Sequence, residues 1–308
     1  MAASVMMSRS IAQRTTTAAM RTVAGSCVRG DVYAMKMRAC VVHAGGRAMA
    51  SSEASKSSSK GDVVRVEDVA SELGVGLSRC GTTFQPGSVW CVGKNYMEHI
   101  GEVDTKMDGI HVKEGRPEYP IIFLKSARAV VGSGVRVVKP TSTEKLDYEG
   151  ELAVVIGKEA RGVRRENAME YVYGYAVCND ITARDLQKRH QQWSIGKSID
   201  GGLPLGPHVL RRLPTGVAGD GEDADDLAIK TFVNGELRQS GRTSQMIFTI
   251  PQLVELLSSA GTLYPGDVIA TGTPSGVGAG MKPPCFLNPG DVVEVEIENV
   301  GRLTTPIA

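Results

Sequence analysis

Short apolar runs, many of them β-branched, fill this chain from about Val63 to its C-terminus. Examples are SVWCVG, PIIFLK, ELAVVIG, YVYGYAVCND, GDVIATG and GDVVEVEIENVG. Runs of about four to eight apolar residues bounded by Gly and Pro are typical of strands and too short for most helices. The pattern therefore predicts a mixed, β-rich α+β fold, with antiparallel or mixed sheets and only a few short helices.

Three segments favour helices: RRENAMEYV before Val172, TARDLQKRHQQ after Asp180, and TIPQLVELLSSAG near the C-terminus. In the third segment Thr249 can cap the helix, Pro251 suits the first turn and Gly261 can end it. The rest of the chain shows no sustained helical periodicity, so the helices should be minor elements.

The composition excludes several classes of partner. The chain has 308 residues, 42% of them hydrophobic, and a formal net charge of +1. No apolar run approaches the ~20 residues that span a bilayer, and no basic block is interleaved with aromatic residues. Its cysteines are scattered and form no CxxC pair, which argues against a zinc site and favours reduced thiols. We therefore predict a globular protein that binds neither nucleic acid nor membrane.

Residues 1–60 differ from the rest in composition. They carry six arginines and three lysines against only Asp31 and Glu53, and they are rich in Ala, Ser, Thr and Met. Basic, hydroxyl-rich and acid-poor segments are typical of organelle transit peptides. We predict a transit peptide and disordered linker over residues 1–60, with a disordered tail without targeting function as the alternative.

Two glutamates stand two residues apart in DYEGELAVVIG. In a strand Glu149 and Glu151 point to the same face, where their charges repel unless a cation lies between them or one takes a proton. The alternative is the solvated side of a half-exposed strand. Ala153 and Val155 continue the same face with apolar residues, which argues against that alternative.

A third carboxylate, Asp180, ends the apolar run YAVCND directly before a predicted helix. Carboxylates at two strand ends, with no cysteine or histidine beside them, suit a hard divalent cation with oxygen ligands. Together with Glu149 and Glu151, Asp180 indicates a candidate site for Mg²⁺ or Mn²⁺.

Two further features suggest catalysis. His99 and Glu102 in GKNYMEHIGEV are three apart, a spacing that brings an imidazole and a carboxylate together on a helical turn, as in a general base with its orienting partner. Such pairs also arise by chance. Lys197 in WSIGKSID lies between a tryptophan and a Gly/Pro-rich segment, where it is either a pocket ammonium or a surface lysine.

Taken in order, these motifs resemble the fumarylacetoacetate hydrolase family from about Gln85 to the C-terminus. They are GKNYMEH, PIIFLKS, DYEGELAVVIG, NDITARDLQ, WSIGKSID, VNGELRQ, MIFTIPQLVELLS and GDVIATGTPSGVG. The likeness is greatest to the acylpyruvase and oxaloacetate decarboxylase subgroup found in mitochondria. The resemblance implies a β-roll of mixed sheets, a single catalytic domain over residues 61–308, a homodimer, and a mitochondrial location, with a plastid as the alternative.

The resemblance also implies roles for individual residues. Glu149, Glu151 and Asp180 would bind a divalent Mg²⁺ or Mn²⁺, His99 and Glu102 would form the dyad that activates water, and Lys197 would lie beside the metal. The substrate-binding positions would be Lys94, Lys125, Arg184, Gln187 and Thr273. Relatives often carry arginine at Lys94, so a planar bidentate donor would here be a point charge.

The implied substrate is a small 2-keto acid. The first hypothesis is hydrolysis of acylpyruvates, such as acetylpyruvate or fumarylpyruvate, to pyruvate and a carboxylate, with oxaloacetate decarboxylation as a possible second activity. The alternatives are oxaloacetate keto–enol tautomerisation, a 2-hydroxymuconate-type isomerase or decarboxylase, and a non-catalytic ligand-binding protein. A scaffold would not need the carboxylates, the dyad and the lysine together, which argues against the last.

Overall fold

The computed structural model describes residues 62–78, 80–102, 112–113, 115–190, 192–212 and 224–308. The predicted transit peptide and linker at residues 1–60 lie outside these residues and stay a prediction. Among the described residues, no helix is both long and apolar enough to cross a membrane.

Strands dominate the described chain, as predicted. They are β1 (Val63–Arg65), β2 (Val89–Gly93), β3 (Val112–Lys113), β4 (Arg116–Pro117), β5 (Ile121–Lys125), β6 (Val130–Gly132), β7 (Leu146–Asp147), β8 (Gly150–Ile156), β9 (Val172–Asn179), β10 (Thr182–Ala183), β11 (Leu203–Arg211), β12 (Ala228–Val233), β13 (Glu236–Arg242), β14 (Val268–Ala270), β15 (Val292–Ile297) and β16 (Gly301–Pro306). The α-helices are α1 (Val66–Leu73), α2 (Met97–Glu102), α3 (Arg184–Arg189), α4 (Ser194–Lys197) and α5 (Ile250–Ala260).

The largest sheet has eight strands in the order β1-β11-β9-β8-β14-β2-β5, with β6 also paired to β11. Its pairs are antiparallel except β14 with β2 and β11 with β6, which are parallel. A separate four-stranded sheet has the order β13-β12-β15-β16, and two short ladders join β7 to β10 and β3 to β4. The prediction of mixed sheets with few helices is confirmed.

Strand β8 lies inside the eight-stranded sheet and is buried along its whole length. Leu152, Val154 and Ile156 belong to one hydrophobic cluster, whereas Ala153 and Val155 belong to another. Because both faces of β8 are covered by apolar side chains, the alternative of a half-exposed strand is wrong.

The four-stranded sheet packs closely against the start of β8. Ile229 of β12 and Val295 of β15 belong to the same hydrophobic cluster as Leu152. A Cβ added to Gly150 would overlap the Thr231 hydroxyl and come within 3.0 Å of Val295. The glycine between the two glutamates therefore lets the four-stranded sheet pack directly against the start of β8.

The predicted helices form with one change of type. Helix α5 begins after Thr249, whose side chain and that of Gln252 form a capping box, and ends before Gly261. Helix α3 is shorter than the predicted segment, and RENAMEY forms a 3₁₀-helix, Arg165–Tyr171. Shorter 3₁₀ turns occur at Ala127–Ala129, Ala224–Asp226, Thr243–Gln245 and Gly278–Gly280.

Helix α1 was not predicted. Its buried residues Val66, Val69 and Ala70 follow helical spacing, and Gly74 ends it in the left-handed conformation at φ 66°. The surrounding β-branched residues hide this spacing, because Val66 and Val69 continue the valine-rich run of β1.

Candidate metal centre

Two strand ends bring the three predicted carboxylates together. Glu149 directly precedes β8, Glu151 is its second residue, and Asp180 directly follows β9. Strands β8 and β9 pair antiparallel with Gly150 opposite Asn179, so the start of one strand meets the end of the other. One side-chain oxygen from each carboxylate lies within 4.8 Å of the others, and all three residues are buried.

Backbone hydrogen bonds hold this carboxylate cluster, Glu149, Glu151 and Asp180, in register. Asp180 N–H donates to the Glu149 carbonyl at 2.8 Å, and Glu149 N–H donates to the Asn179 side chain at 3.1 Å. Gly272 N–H, just beyond β14, donates to Glu151 Oε2 at 2.8 Å. Three neighbouring strands therefore fix the cluster, so its geometry is set by the sheet.

Two buried lysines and an arginine that is largely buried contact the cluster. Lys197 Nζ lies 2.6 Å from both Glu149 Oε2 and Asp180 Oδ2. Lys125 Nζ donates to Asp180 Oδ1 at 2.5 Å, and Arg184 Nη2 lies 2.7 Å from Glu149 Oε1. These contacts offset part of the cost of burying like charges side by side.

The charges act differently on the two glutamates. Burial raises the pKa of Glu149, but the opposing charges of Arg184 and Lys197 outweigh burial and hold that pKa far below its ordinary value. Burial and the neighbouring carboxylates Asp180 and Glu149 raise the pKa of Glu151 well above its ordinary value. Glu151 is thus the carboxylate whose charge the protein compensates least.

This donor set fits a hard divalent cation. Its ligands are carboxylate oxygens alone, and the residue with the least compensated charge, Glu151, faces the other two carboxylates. A divalent ion would add positive charge where that compensation falls short. Glu149, Glu151 and Asp180 are therefore the residues that could hold the metal.

The predicted dyad lies on the short helix α2. His99 Nδ1 lies 3.3 Å from Glu102 Oε2, and the two side chains are 7% and 15% exposed. Gly276 N–H donates to both Glu102 oxygens, at 2.8 and 3.0 Å. The loop that binds Glu102 also donates to Asp147, and Arg184 bridges Asp147 and Glu149, so the dyad lies near the cluster.

The loop that holds Glu102 leaves it little space. A Cβ added to Gly280 would overlap the Cγ, Cδ and Oε1 atoms of Glu102. Because Gly280 has no side chain, the carboxylate can reach the Gly276 N–H and the imidazole of His99 at once.

Lys197 was predicted to be either a pocket ammonium or a surface lysine. The structure places it at the end of helix α4, with the residue 2% exposed and its ammonium 4.9 Å from the centre of the Phe123 ring. The surface-lysine alternative is wrong, because Lys197 contacts two members of the cluster.

Two predicted substrate-binding residues, Arg184 and Gln187, contact each other, and Arg184 also contacts Glu149. Arg184 Nη1 donates to Gln187 Oε1 at 3.4 Å, and Arg184 Nε donates to Asp147 Oδ2 at 2.8 Å. Lys94 lies between β2 and α2, half-buried, at φ 56°. Their roles toward a substrate stay predictions.

Lys125 and Thr273 already have protein partners. The Lys125 ammonium donates to Asp180 and to the Ile181 carbonyl, and its side chain is 0% exposed. The Thr273 hydroxyl donates to the Gly150 carbonyl at 2.9 Å and accepts from Gln239 at 2.7 Å. Both residues support cluster members in this structure, and their predicted substrate contacts stay predictions.

Sequence reasoning missed Gln239 and Asp147. Gln239 is fully buried; its side chain accepts from Gly150 N–H at 3.0 Å and donates to Thr273 and the Pro274 carbonyl. The only signal for either residue was its place within a recognised motif, VNGELRQ and DYEGE, because a hydrogen-bond partner distant in sequence leaves no periodicity.

Comparison with known proteins agrees with the motifs. The family model described as fumarylacetoacetate (FAA) hydrolase C-terminal matches residues 88–308. Oxaloacetate tautomerase YisK of Bacillus subtilis (strain 168) is 47% identical over 222 residues, which cover 71% of this chain and 69% of that protein. An uncharacterized protein of Methanocaldococcus jannaschii is 41% identical over 219 residues, covering 71% and 82%.

Solved structures give the same result. The fumarylacetoacetate hydrolase of Exiguobacterium antarcticum superposes with a TM-score of 0.63 at 44% identity, covering 73% of this chain and 76% of that one. The 5-carboxymethyl-2-hydroxymuconate delta-isomerase of Mycobacterium smegmatis gives a TM-score of 0.62 at 37% identity, covering 74% and 80%. Sequence and fold thus agree over well over half of the chain, and the protein is an enzyme of the fumarylacetoacetate hydrolase family.

Proposed function

We propose that this enzyme interconverts the keto and enol forms of oxaloacetate with the help of a divalent cation. The observation that carries the proposal is the buried cluster of Glu149, Glu151 and Asp180 with the His99–Glu102 dyad beside it. A relative named oxaloacetate tautomerase is 47% identical, and a similar structure is that of an isomerase. Both names support a reaction that moves a proton along a 2-keto acid.

The proposed cofactor is Mg²⁺ or Mn²⁺, held by the three carboxylates of the cluster. When bound, the cation supplies positive charge for the carboxylate and 2-keto oxygens of the substrate and stabilises negative charge on the enol oxygen. The protein contributes the oxygen ligands and a buried setting in which those charges interact strongly.

His99 is the proposed base. With its Nδ1–H donating to Glu102, the imidazole keeps a lone pair on Nε2, the atom that takes a proton from C3 of oxaloacetate. The C–H electron pair then forms the C2–C3 double bond, and the 2-keto oxygen takes a proton to complete the enol. Glu102 stabilises the charged imidazole in between.

Cationic groups hold and neutralise the substrate. Lys197, which contacts Glu149 and Asp180, is the proposed donor of the proton to the 2-oxygen. Arg184 and Gln187 are proposed to bind the substrate carboxylate, with contributions from Lys94 and Thr273.

Acylpyruvate hydrolysis is the second candidate. The specific observation in its favour is the fixed Glu102, which accepts two bonds from Gly276 N–H while it contacts His99. An imidazole oriented in this way can take a proton from water for attack on the distal carbonyl, after which pyruvate leaves as its enolate. Loss of carbon dioxide from oxaloacetate would yield the same enolate, so decarboxylation is a further outcome to measure.

One set of assays separates these reactions. Absorbance and coupled pyruvate detection follow three reactions: loss of enol oxaloacetate, cleavage of acetylpyruvate and release of carbon dioxide. Each assay contains Mg²⁺ or Mn²⁺, and the rate with metal alone is subtracted. We expect the largest acceleration for tautomerisation. Faster acetylpyruvate cleavage would make the second candidate correct, and folded, metal-loaded protein that accelerates none of the three reactions would exclude both.

Assembly and location stay separate proposals. We propose a homodimer in a mitochondrion, with a plastid as the alternative organelle. Sedimentation of the purified protein tests the first, and imaging of a fusion with residues 1–60 at its N-terminus tests the second.

A further inference from the structure

Asp147 is fully buried next to the carboxylate cluster and is not one of its members. Its Oδ1 accepts from the backbone N–H of Tyr148 at 2.9 Å and of Gly278 at 2.8 Å. Its Oδ2 accepts from Ala279 N–H at 3.0 Å and from Arg184 Nε at 2.8 Å. Four donors on one carboxylate fix its orientation, since hydrogen bonds to an ionised group are strong.

On one side, Asp147 fixes a proposed substrate ligand. Arg184 Nε donates to Asp147, Nη2 lies 2.7 Å from Glu149, and Nη1 donates to Gln187. A guanidinium is planar, so fixing the Nε edge sets the direction of both remaining nitrogens. Asp147 therefore determines the directions of Nη1 and Nη2, of which Nη1 has the longer contact, 3.4 Å to Gln187.

On the other side, Asp147 contacts the loop that holds the dyad. This loop, residues 276–280, binds Glu102 through Gly276 N–H and binds Asp147 through the N–H groups of Gly278 and Ala279. A Cβ added to Gly278 would lie 2.6 Å from Asp147 Oδ1, so the loop backbone approaches the carboxylate as closely as a glycine allows.

We propose that Asp147 is a positioning residue that aligns Arg184 with the substrate carboxylate and links that arginine to the loop holding Glu102. The identity of the arginine's ligand, a 2-keto acid, rests on the proposed function. The competing explanation is a purely structural one, in which Asp147 stabilises the loop and has no effect on how Arg184 binds.

The two explanations differ in whether Asp147 acts through Arg184. We compare Asp147→Asn, Arg184→Met and the double variant at saturating Mg²⁺, with KM and kcat for oxaloacetate as readouts. We expect Asp147→Asn to raise KM about tenfold, as for loss of a hydrogen bond to a charged group, with kcat changed less than about threefold. In the Arg184→Met background the same substitution should add little, because its partner is already missing.

Asp267 provides a matched control. Its carboxylate is also buried and accepts from two backbone N–H groups, of Ser88 at 2.7 Å and Tyr264 at 2.9 Å. Asp267→Asn should lower the melting temperature without changing KM. If Asp147→Asn only lowers the melting temperature, or if its effect on KM simply adds to that of Arg184→Met, the positioning role is overturned.

Calorimetry with oxalate separates this inference from the proposed function. Oxalate presents two adjacent carboxylates to the metal-loaded protein and needs no turnover, so its affinity should fall about tenfold in Asp147→Asn even if oxaloacetate is not the substrate. Should that variant not fold, Arg184→Lys keeps the positive charge but cannot bridge Asp147 and Glu149. Oxalate affinity equal to wild type in Arg184→Lys would overturn the proposal.

Discussion

The carboxylate cluster and the His99–Glu102 dyad are neighbours built in different ways. The cluster stands on paired strand ends of the eight-stranded sheet, where the β8–β9 ladder and Gly272 hold it. The dyad stands on a six-residue helix, and its glutamate is held by a loop. The difference suggests that the sheet sets metal affinity, whereas the helix and loop set the rate of proton transfer.

The cluster and the dyad also differ in the charged groups that contact them. The cluster contacts the buried lysines Lys125 and Lys197 and the largely buried Arg184. For the dyad, the described contacts of Glu102 are His99 and the Gly276 N–H. A substitution in the cluster should therefore change binding of the cation, and a substitution in the dyad should change kcat alone.

Glu149→Gln should give the largest effect. It removes the carboxylate that contacts Arg184 and Lys197, so it lowers the negative charge available to the cation. We expect metal affinity to fall more than about a hundredfold and every activity to fall on the order of a thousandfold. Calorimetric Mn²⁺ titration and the oxaloacetate assay measure the two changes.

The matched control for that loss of charge is Glu294→Gln on β15, where the glutamate pairs with Arg302 at the surface. Surface ion pairs contribute only about 0–1 kcal/mol, so this variant should keep wild-type affinity and activity. Retention of tight metal binding in Glu149→Gln would show that the cluster is not the metal site.

His99→Ala should give the next largest effect. Removal of a general base typically lowers a rate by about 10²–10⁴, and we expect kcat to fall within that range. Because His99 is not bonded to any cluster oxygen among the described contacts, Mn²⁺ affinity should change less than about threefold. His208→Ala on β11 serves as the control histidine. A loss of metal affinity in His99→Ala comparable to that of Glu149→Gln would contradict the separate roles of cluster and dyad.

Gly280→Ala tests the loop. The new methyl group would overlap Glu102 and displace it from Gly276 N–H. Because this removes a hydrogen bond to a charged group, we expect kcat to fall about tenfold. Metal affinity should change little. Gly101→Ala is the matched control, since its Cβ would meet no atom within 4 Å and alanine favours a helix by about 1 kcal/mol. Equal losses in both variants would mean that α2 must stay flexible and that the fixed position of Glu102 is unimportant.

The same comparison explains what could be predicted from the sequence. The cluster could be predicted because strand alternation places Glu149 and Glu151 on one face and Asp180 closes an adjacent apolar run. The pairing of His99 with Glu102 could be predicted because an i,i+3 spacing is local. Both inferences use distances along the chain that secondary structure fixes.

The supporting residues could not be predicted in this way. Gln239 contacts Gly150 across 89 positions, and Gly278 contacts Asp147 across 131. Such contacts depend on how the two sheets and the loop pack, so neither periodicity nor spacing reveals them. Lys125 was placed in the site only through its motif, and its contact with Asp180 emerged from the fold.

The smallest expected effect is on the stability of the metal-free protein, which Glu151→Gln should raise. Burial and two neighbouring carboxylates make the charge of Glu151 the most costly in the cluster, while a glutamine can still accept from Gly272 N–H. Without metal we expect this variant to be more stable by about 1 kcal/mol, a rise in melting temperature of about 2–4 °C.

Saturating Mn²⁺, which should stabilise wild type by about 2.7 kcal/mol at a hundred times its Kd, should no longer stabilise the variant. Calorimetric melting of wild type and variant, with EDTA and with Mn²⁺, measures both the gain in stability without metal and the loss of stabilisation by metal. A lower melting temperature of the metal-free variant would show that the Gly272 contact outweighs the repulsion, and that the cluster is stable without its cation.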